Sequence, residues 1–312
     1  MLLCHLHCRQ PYLEEDILSD MVFKINRADY RDQEEYIKSG RRCGAPVPTA
    51  LEMDRVRGEV AAVRRAIRAR PETVTVNVQF NHITNGSQGV IEEDQRAKQI
   101  EVMNKAYSKS GIKFTYDPSS VKTVDKPAWF NMGQASAAER EAKTALHVPA
   151  EHSLNLYTAA LQNGLLGWAH FPWQLAGDPV MDGLVILWST FPGGESEPYN
   201  LGQTVTHEAG HWFGLWHTFQ GGCDGVGDQV DDTVAHSSPN FGCPPEGNNG
   251  ACSQQEKAPI HNYMNYTDDA CMTEFTKGQI ERMQDLIQTY RSGLFVGPNV
   301  TVAAAASTSA HR

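Results

Sequence analysis

From residue 73 to 83 the chain reads TVTVNVQFNHI, alternating apolar and polar side chains as a strand buried on one face does. Just upstream, DRVRGEVAAVRRAIRAR (54–70) spaces Val56, Val60, Ala61, Val63, Ala66 and Ile67 at close to a helical period, with arginines on the other side and Pro71 as the stop. The same patterning predicts a helix over 92–110 broken by Gly111, a strand IKFTY (112–116), a helix over 136–146, and strands SLNLYTA (153–159) and DGLVILWST (182–190), the last preceded by the turn-forming AGDP. Helical spacing returns through Ile280, Met283, Leu286, Ile287 and Tyr290, with Thr276 as N-cap and Gly293 as stop. Residues 221–259 show no period, and a loop of that length in a compact domain is functional, disulfide-tied or both. This order of elements implies an α+β domain, a mixed sheet with helices packed on it. We divide the chain into an N-terminal segment (1–73), a main domain (74–297) and a frayed, disordered tail (298–312), with no internal repeats.

Composition narrows the classes. A chain of 312 residues with 40% hydrophobic content can bury a sizeable core. Its net charge of −10 argues against nucleic acid or an anionic membrane surface as a partner, since both need a basic face. The charge is uneven: residues 1–73 hold 13 of the 27 Lys and Arg but 12 of the 37 acids, so the acidity lies in the remainder. No apolar run is long enough to span a bilayer, and the first twenty residues show neither the basic nor the apolar stretch of a standard secretory leader.

Four of the seven cysteines, Cys223, Cys243, Cys252 and Cys271, fall in or near the aperiodic loop, where few apolar side chains can form a core. Two disulfides would compensate and imply an oxidising compartment; four free thiols is the other reading, and spacing alone allows three pairings. Cys4, Cys8 and Cys43 need a separate account. CHLHC (4–8) is too compact for a tetrahedral metal site without further ligands, and sequons at Asn85, Asn265 and Asn299 matter only for an exported chain.

The chemistry concentrates in HEAGHWFGLWH (207–217). On a helix His207 and His211 share one face, so two imidazole nitrogens can meet one ion. Glu208, one step round, can reach a water on that ion without ligating it, and Gly214 lets the helix end so that His217 returns from a new direction. Three neutral nitrogens leave a fourth corner for water, the open arrangement of a catalytic zinc. Zinc acidifies the water and polarises a carbonyl while Glu208 carries the proton to the leaving amine, which predicts amide hydrolysis. Histidines that merely cap a helix end are the bland alternative, but five fixed positions make this far rarer than a bare HExxH.

The extended motif resembles that of the metzincin zinc peptidases, whose methionine-containing turn is matched by Met264 in HNYMNYTDD. Within metzincins, HEAGHWFGLWHTFQGGC, GDQVDDT, FGCP, NYMNYTDDACM and FTKGQIERM resemble the pappalysin family, including its ulilysin-like and fungal extracellular members, over about Val74 to Tyr290. The resemblance implies a mostly parallel mixed sheet with backing and active-site helices above a cleft, and an irregular, disulfide-tied lower part. It implies His207, His211 and His217 as zinc ligands, Glu208 as general base, and Tyr266 as oxyanion stabiliser; an ordinary packed aromatic is the alternative for Tyr266. It pairs Cys223 with Cys252 and Cys243 with Cys271, and it implies secretion. It also implies calcium bound by Asp228, Asp231 and Asp232 with carbonyls near Val230 and Thr233, oxygen ligands of the kind calcium prefers. A solvated acidic loop competes with that reading, and Val234 stands where relatives usually have proline.

Three further expectations follow. Asp268 and Asp269, just past the methionine turn, would floor the pocket for the residue after the scissile bond and favour Arg or Lys there, unless they are plain surface acids. RRCGAPVP (41–48) resembles the cysteine switch of matrix metalloproteinase propeptides: beside zinc and two arginines, a low-pKa Cys43 thiolate would take the fourth metal position and make residues 1–73 a latency segment, a plain buried cysteine being the alternative. DGLVILWST would be the edge strand that aligns a peptide substrate by strand addition. The expected activity is that of a zinc endopeptidase on protein or peptide substrates; the competing class is a zinc-bound adhesion or binding module without turnover.

Overall fold

The computed structural model describes residues 23–25, 28–30, 35–36, 42–66, 73–151 and 153–295; the CHLHC stretch, Asn299 and the expected tail lie outside the described residues. A short antiparallel hairpin, β1 (Phe23–Ile25) and β2 (Ala28–Tyr30), precedes helix α1 (Ala50–Ala66). Then come β3 (Val74–Thr84), α2 (Glu93–Ala106), β4 (Ile112–Thr115), β5 (Lys122–Asp125), the single turn α3 (Pro127–Phe130), β6 (Asn131–Met132) and α4 (Ala137–Leu146). After β7 (Ser153–Leu161), β8 (Gly167–Ala169) and β9 (Leu184–Leu187) follow α5 (Gln203–Trp212) and α6 (Lys277–Tyr290).

The sheet order is β4-β3-β7-β9-β8, with β5 continuing beside β3 and β6 beside β7. Every pairing in it is parallel except β8 with β9. Both faces are covered, as parallel sheets require. Under one face, Val76, Val78, Leu156 and Ile186 meet Met103 of α2 and Val205, Ala209 and Trp212 of α5. On the other, Tyr157, Ala159 and Val185 meet Ala142 and Leu146 of α4. This double cover explains why the alternation of β3 holds only over its first residues and gives way to continuous burial.

Helix α1 begins at Ala50, four residues before its expected start, because Thr49 Oγ1 accepts from Glu52 N at 3.2 Å and supplies a cap. Helix α6 starts at the expected N-cap Thr276 and adds a capping box: its hydroxyl accepts from Gln279 N at 3.1 Å while Gln279 Oε1 accepts from Thr276 N at 2.9 Å. It stops at Tyr290, before Gly293, where Arg291 turns inward. That guanidinium stacks 3.7 Å over the Trp212 ring and forks onto Asp182 at 2.6 and 3.2 Å, while Trp212 Nε1 donates to the same carboxylate at 2.9 Å.

One expectation is corrected. DGLVILWST is not the sheet edge: Leu184–Leu187 lies between β7 and β8, and the edge is Gly167–Ala169. The free rim of β8 is occupied by the N-terminal segment, where Leu166 N donates to Arg42 O at 2.8 Å and Gly44 N to Gly167 O at 2.9 Å, in a parallel bridge between Cys43 and Gly167.

Removing Arg291 strands a buried carboxylate beside α5, so Arg291→Ala is expected to cost about 3–5 kcal/mol in urea unfolding, and the paired Arg291→Met/Asp182→Asn exchange much less.

Candidate active site and metal centre

His207 and His211 lie one turn apart on α5, and the helix ends at Trp212. Gly214 then adopts φ +95°, where a Cβ would stand 2.4 Å from Leu286 Cδ1; both the conformation and the space call for glycine, and the chain doubles back to His217. The three rings converge through one atom each. His211 Nε2 lies 3.2 Å from His207 Nε2 and 3.1 Å from His217 Nε2. Their other nitrogens fix the tautomers of two rings: His207 Nδ1 donates to Tyr263 O at 2.7 Å and His211 Nδ1 to Leu215 O at 2.8 Å. With Nδ1 protonated, a neutral ring presents a lone pair at Nε2, so His207 and His211 bring acceptor to acceptor. Burial holds all three rings neutral, pushing His211 down to about 4 and His207 and His217 well below the ordinary imidazole value.

Facing lone pairs repel unless a cation lies between them. A tetrahedral ion with Zn–N bonds of about 2.0–2.1 Å sets its nitrogen ligands roughly 3.3 Å apart, so the donor set and spacing fit zinc. Cys43 Sγ completes the cluster, with all four ligand atoms within 4.8 Å of one another.

Glu208 and Cys43 share this pocket, Sγ lying 3.5 Å from Oε2 and accepting from Ala45 N at 3.3 Å. Burial pushes Glu208 up to about 8. Burial, then the Glu208 carboxylate, push the Cys43 thiol well above its ordinary value. Arg42 opposes this rise only weakly because its guanidinium lies in a pocket of its own, so the low thiol pKa expected beside zinc and two arginines depends on the cation; Arg41 lies outside the described residues.

Arg42 is instead buried in a pocket of its own. Its guanidinium donates to Tyr266 O and Thr267 O, stands 3.6 Å from Asp269 Oδ1 and lies 4.5 Å over the Tyr199 ring. Asp269 Oδ2 also accepts from Leu201 N at 2.9 Å and Gln203 N at 3.1 Å at the start of α5, while burial raises this carboxyl to about 6 against the pull of Arg42. Of the two acids singled out in sequence, Asp269 faces the pocket, and Asp268 is half-buried with its amide on Gly242 O.

Met264 lies beneath the histidines, fully buried, where Gly210 leaves room: a Cβ there would meet Met264 Sδ at 2.4 Å. The methionine turn is tied to α6 by a reciprocal amide pair, Asn262 with Gln279, at 2.7 and 3.0 Å. The Tyr266 ring packs against His217 (5.0 Å) and His207 (5.8 Å), and burial, then Cys43 and Glu208, push its phenol well up.

The acidic loop gathers only part of its expected set. Asp228 Oδ1 accepts from Val230 N and Thr233 Oγ1, whereas Oδ2 is buried with no hydrogen-bond donor among the described residues, and burial raises this carboxyl to about 6. Asp232 caps α6 by accepting from Thr276 Oγ1 at 2.6 Å and Gly278 N at 2.8 Å, and Asp231 is exposed. Disulfides join Cys223 to Cys252 and Cys243 to Cys271. Asn265 is fully buried and bonded to Asn240 and Pro259, which removes its sequon from glycosylation in the folded state.

Two contributors were not read from sequence. Tyr199 sits in an irregular stretch with no motif to mark it, and Phe171, 5.4 Å from the His211 ring, follows a strand only three residues long.

Residues 155–288 match the peptidase M43 family model, described as pregnancy-associated plasma protein-A. An extracellular metalloprotease of Pyricularia oryzae is 39% identical over 262 residues, covering 81% of this chain and 90% of its own. The chain belongs to the pappalysin family of metalloproteases. A second pappalysin relative, the extracellular metalloprotease of Arthroderma benhamiae, is 44% identical over 227 residues, 70% of this chain and 74% of its own. Among solved structures, a promirolysin mutant from Tannerella forsythia aligns with TM-score 0.68 and 27% identity over 81% of this chain and 97% of its own. Mature mirolysin with a cleaved peptide aligns at 0.61 and 27% identity over 71% of this chain and 97% of its own, so the pro-form accounts for more of this pappalysin than the mature form does.

Each disulfide of this pappalysin closes a loop of nearly thirty residues in a stretch with little core. Cys243→Ser/Cys271→Ser is expected to lower unfolding free energy by about 3–4 kcal/mol, read as an earlier denaturant midpoint.

Proposed function

We propose that this metalloprotease is a zinc endopeptidase that Cys43 and Arg42 hold latent, and that it cleaves on the amino side of Arg, and less readily Lys, once residues 1–73 are removed. The observation that carries the reading is the convergence of three neutral imidazole nitrogens with one thiol beside a buried carboxylate. When bound, zinc supplies Lewis acidity, polarising the scissile carbonyl and acidifying water.

This chain's own groups do the rest. His207 and His211 hold the metal corner in fixed tautomers through Tyr263 O and Leu215 O. Glu208, buried at the metal corner, acts as the carboxylate that accepts the water's proton and returns it to the departing amine. The Tyr266 phenol, kept protonated, donates to the developing oxyanion. Arg42 marks the pocket for the residue after the scissile bond, where two carbonyls, an aromatic face and Asp269 suit a guanidinium. Calcium at the acidic loop belongs to the same proposal, supported by the unsatisfied Asp228 Oδ2, as does export, supported by the disulfides and by relatives named extracellular. A zinc-bound module without turnover is disfavoured because it has no use for a buried carboxylate against the metal corner.

Glu208→Ala, freed of residues 1–73, is expected to keep one zinc per chain and lose on the order of 100- to 10,000-fold in casein hydrolysis; metal in both forms with activity in neither would favour the silent module. Cys43→Ala should make the intact chain active before any processing, and unchanged latency would reject the switch. Peptides with Arg after the scissile bond should be cut at least roughly 100-fold faster than their Leu counterparts, as measured by kcat/KM.

A further inference from the structure

We propose that the surface under α1 is a peptide-binding site whose ligand is this chain's own residues 42–66, and that the segment stays seated and inhibitory after the chain is cut between α1 and β3. The inference rests on the latency reading above and adds a second anchor, remote from the metal corner.

The α1 contact is built as an interface. Met53 and Val56, a turn apart, are buried with Phe171, Trp173, Trp216 and Leu286, and Val60 continues the stripe at the rim. The receiving rings are already packed on one another: Phe171 stacks on Trp173 at 4.7 Å and lies 4.5 Å from Trp216. Polar contacts surround this centre. Trp173 Nε1 donates to Glu52 Oε1 at 2.7 Å, Tyr290 OH donates to Glu59, and Arg64 pairs with Asp285, which is buried. An apolar centre inside a hydrogen-bonded rim is the anatomy of a binding surface.

The contacts named here fall between Glu52 and Arg64 of the segment. The second anchor is the strand-like bridge at Cys43 with Arg42 in its pocket, and only residues 45–49 separate it from α1. Two anchors on so short a linker hold each other at high local concentration, so release of one leaves the other to recapture it. Arg68 and Arg70 stand in the joining stretch, so an enzyme that cuts before arginine would cut here. Hydrolysis consumes one water, breaks one amide bond, and leaves a carboxylate on the segment and a new amine before Val74. It removes neither anchor. The receiving rings also reach the metal corner, Phe171 lying edge-on to the His211 ring at 5.4 Å, so the two sites are contiguous.

The test replaces residues 67–72 by a single site for a specific protease, nicks the full chain, and follows the fragment by size-exclusion chromatography with mass spectrometry alongside peptide hydrolysis. The fragment is expected to co-elute with the body at micromolar concentration, and the nicked chain to stay near the activity of the uncut chain. Val56→Asp should release the fragment and switch on activity upon nicking, and the milder Val56→Ala should weaken retention roughly 10-fold. Departure of the unmodified fragment on nicking, or equal retention of all three forms, overturns the second anchor. Failure of the latency reading is distinct: Cys43→Ala would then leave uncut activity unchanged while the mass readout still reports whether the fragment stays.

Discussion

His207 Nε2 and His211 Nε2 both present lone pairs at 3.2 Å in a buried site, with His217 Nε2 3.1 Å from His211 Nε2, an arrangement that a cation between them relieves. Much of the surrounding structure enforces that proximity. Two backbone carbonyls fix which nitrogen is protonated, Gly214 turns the chain back, and Met264 fills the space that Gly210 leaves beneath. The helix that carries two of the rings is pinned at its start by Asp269 and at its end by the Trp212–Arg291–Asp182 stack. Binding energy released by a metal there compensates for burying so many polar groups at one point.

In the latency proposed above, the N-terminal segment would use the same site by mimicry. It lies along the sheet edge where a substrate would add a strand, but parallel to β8, and places a thiol at the metal corner and a guanidinium in the neighbouring pocket. A thiol ligates a metal as its thiolate, so in the latency proposed above inhibition and metal binding are one equilibrium. Asp269 serves twice, as the cap of the active-site helix and as counter-charge to Arg42, which couples pocket occupancy to the geometry of the catalytic helix.

What could be read from sequence was what is local in it. The histidine spacing, the period of α1 and α6 and the Thr276 cap lie within a few residues of chain, and local geometry alone dictates them. The edge strand escaped because three residues, Gly167–Ala169, are too few to show a period, while the more apolar Leu184–Leu187 resembled an edge although it is buried between neighbours. Where Arg42 points was not legible, because its contacts lie more than 220 residues away, at Tyr266, Thr267 and Asp269. Tyr199 was invisible for the same reason: its role exists only once a distant guanidinium lies over it.

The most direct measurement is zinc X-ray absorption on the intact purified chain. The account predicts one zinc with three nitrogen neighbours at about 2.0 Å and one sulfur at about 2.3 Å, the sulfur vanishing in Cys43→Ala. A chain that folds without metal, or a zinc shell with no sulfur in the intact protein, would contradict it.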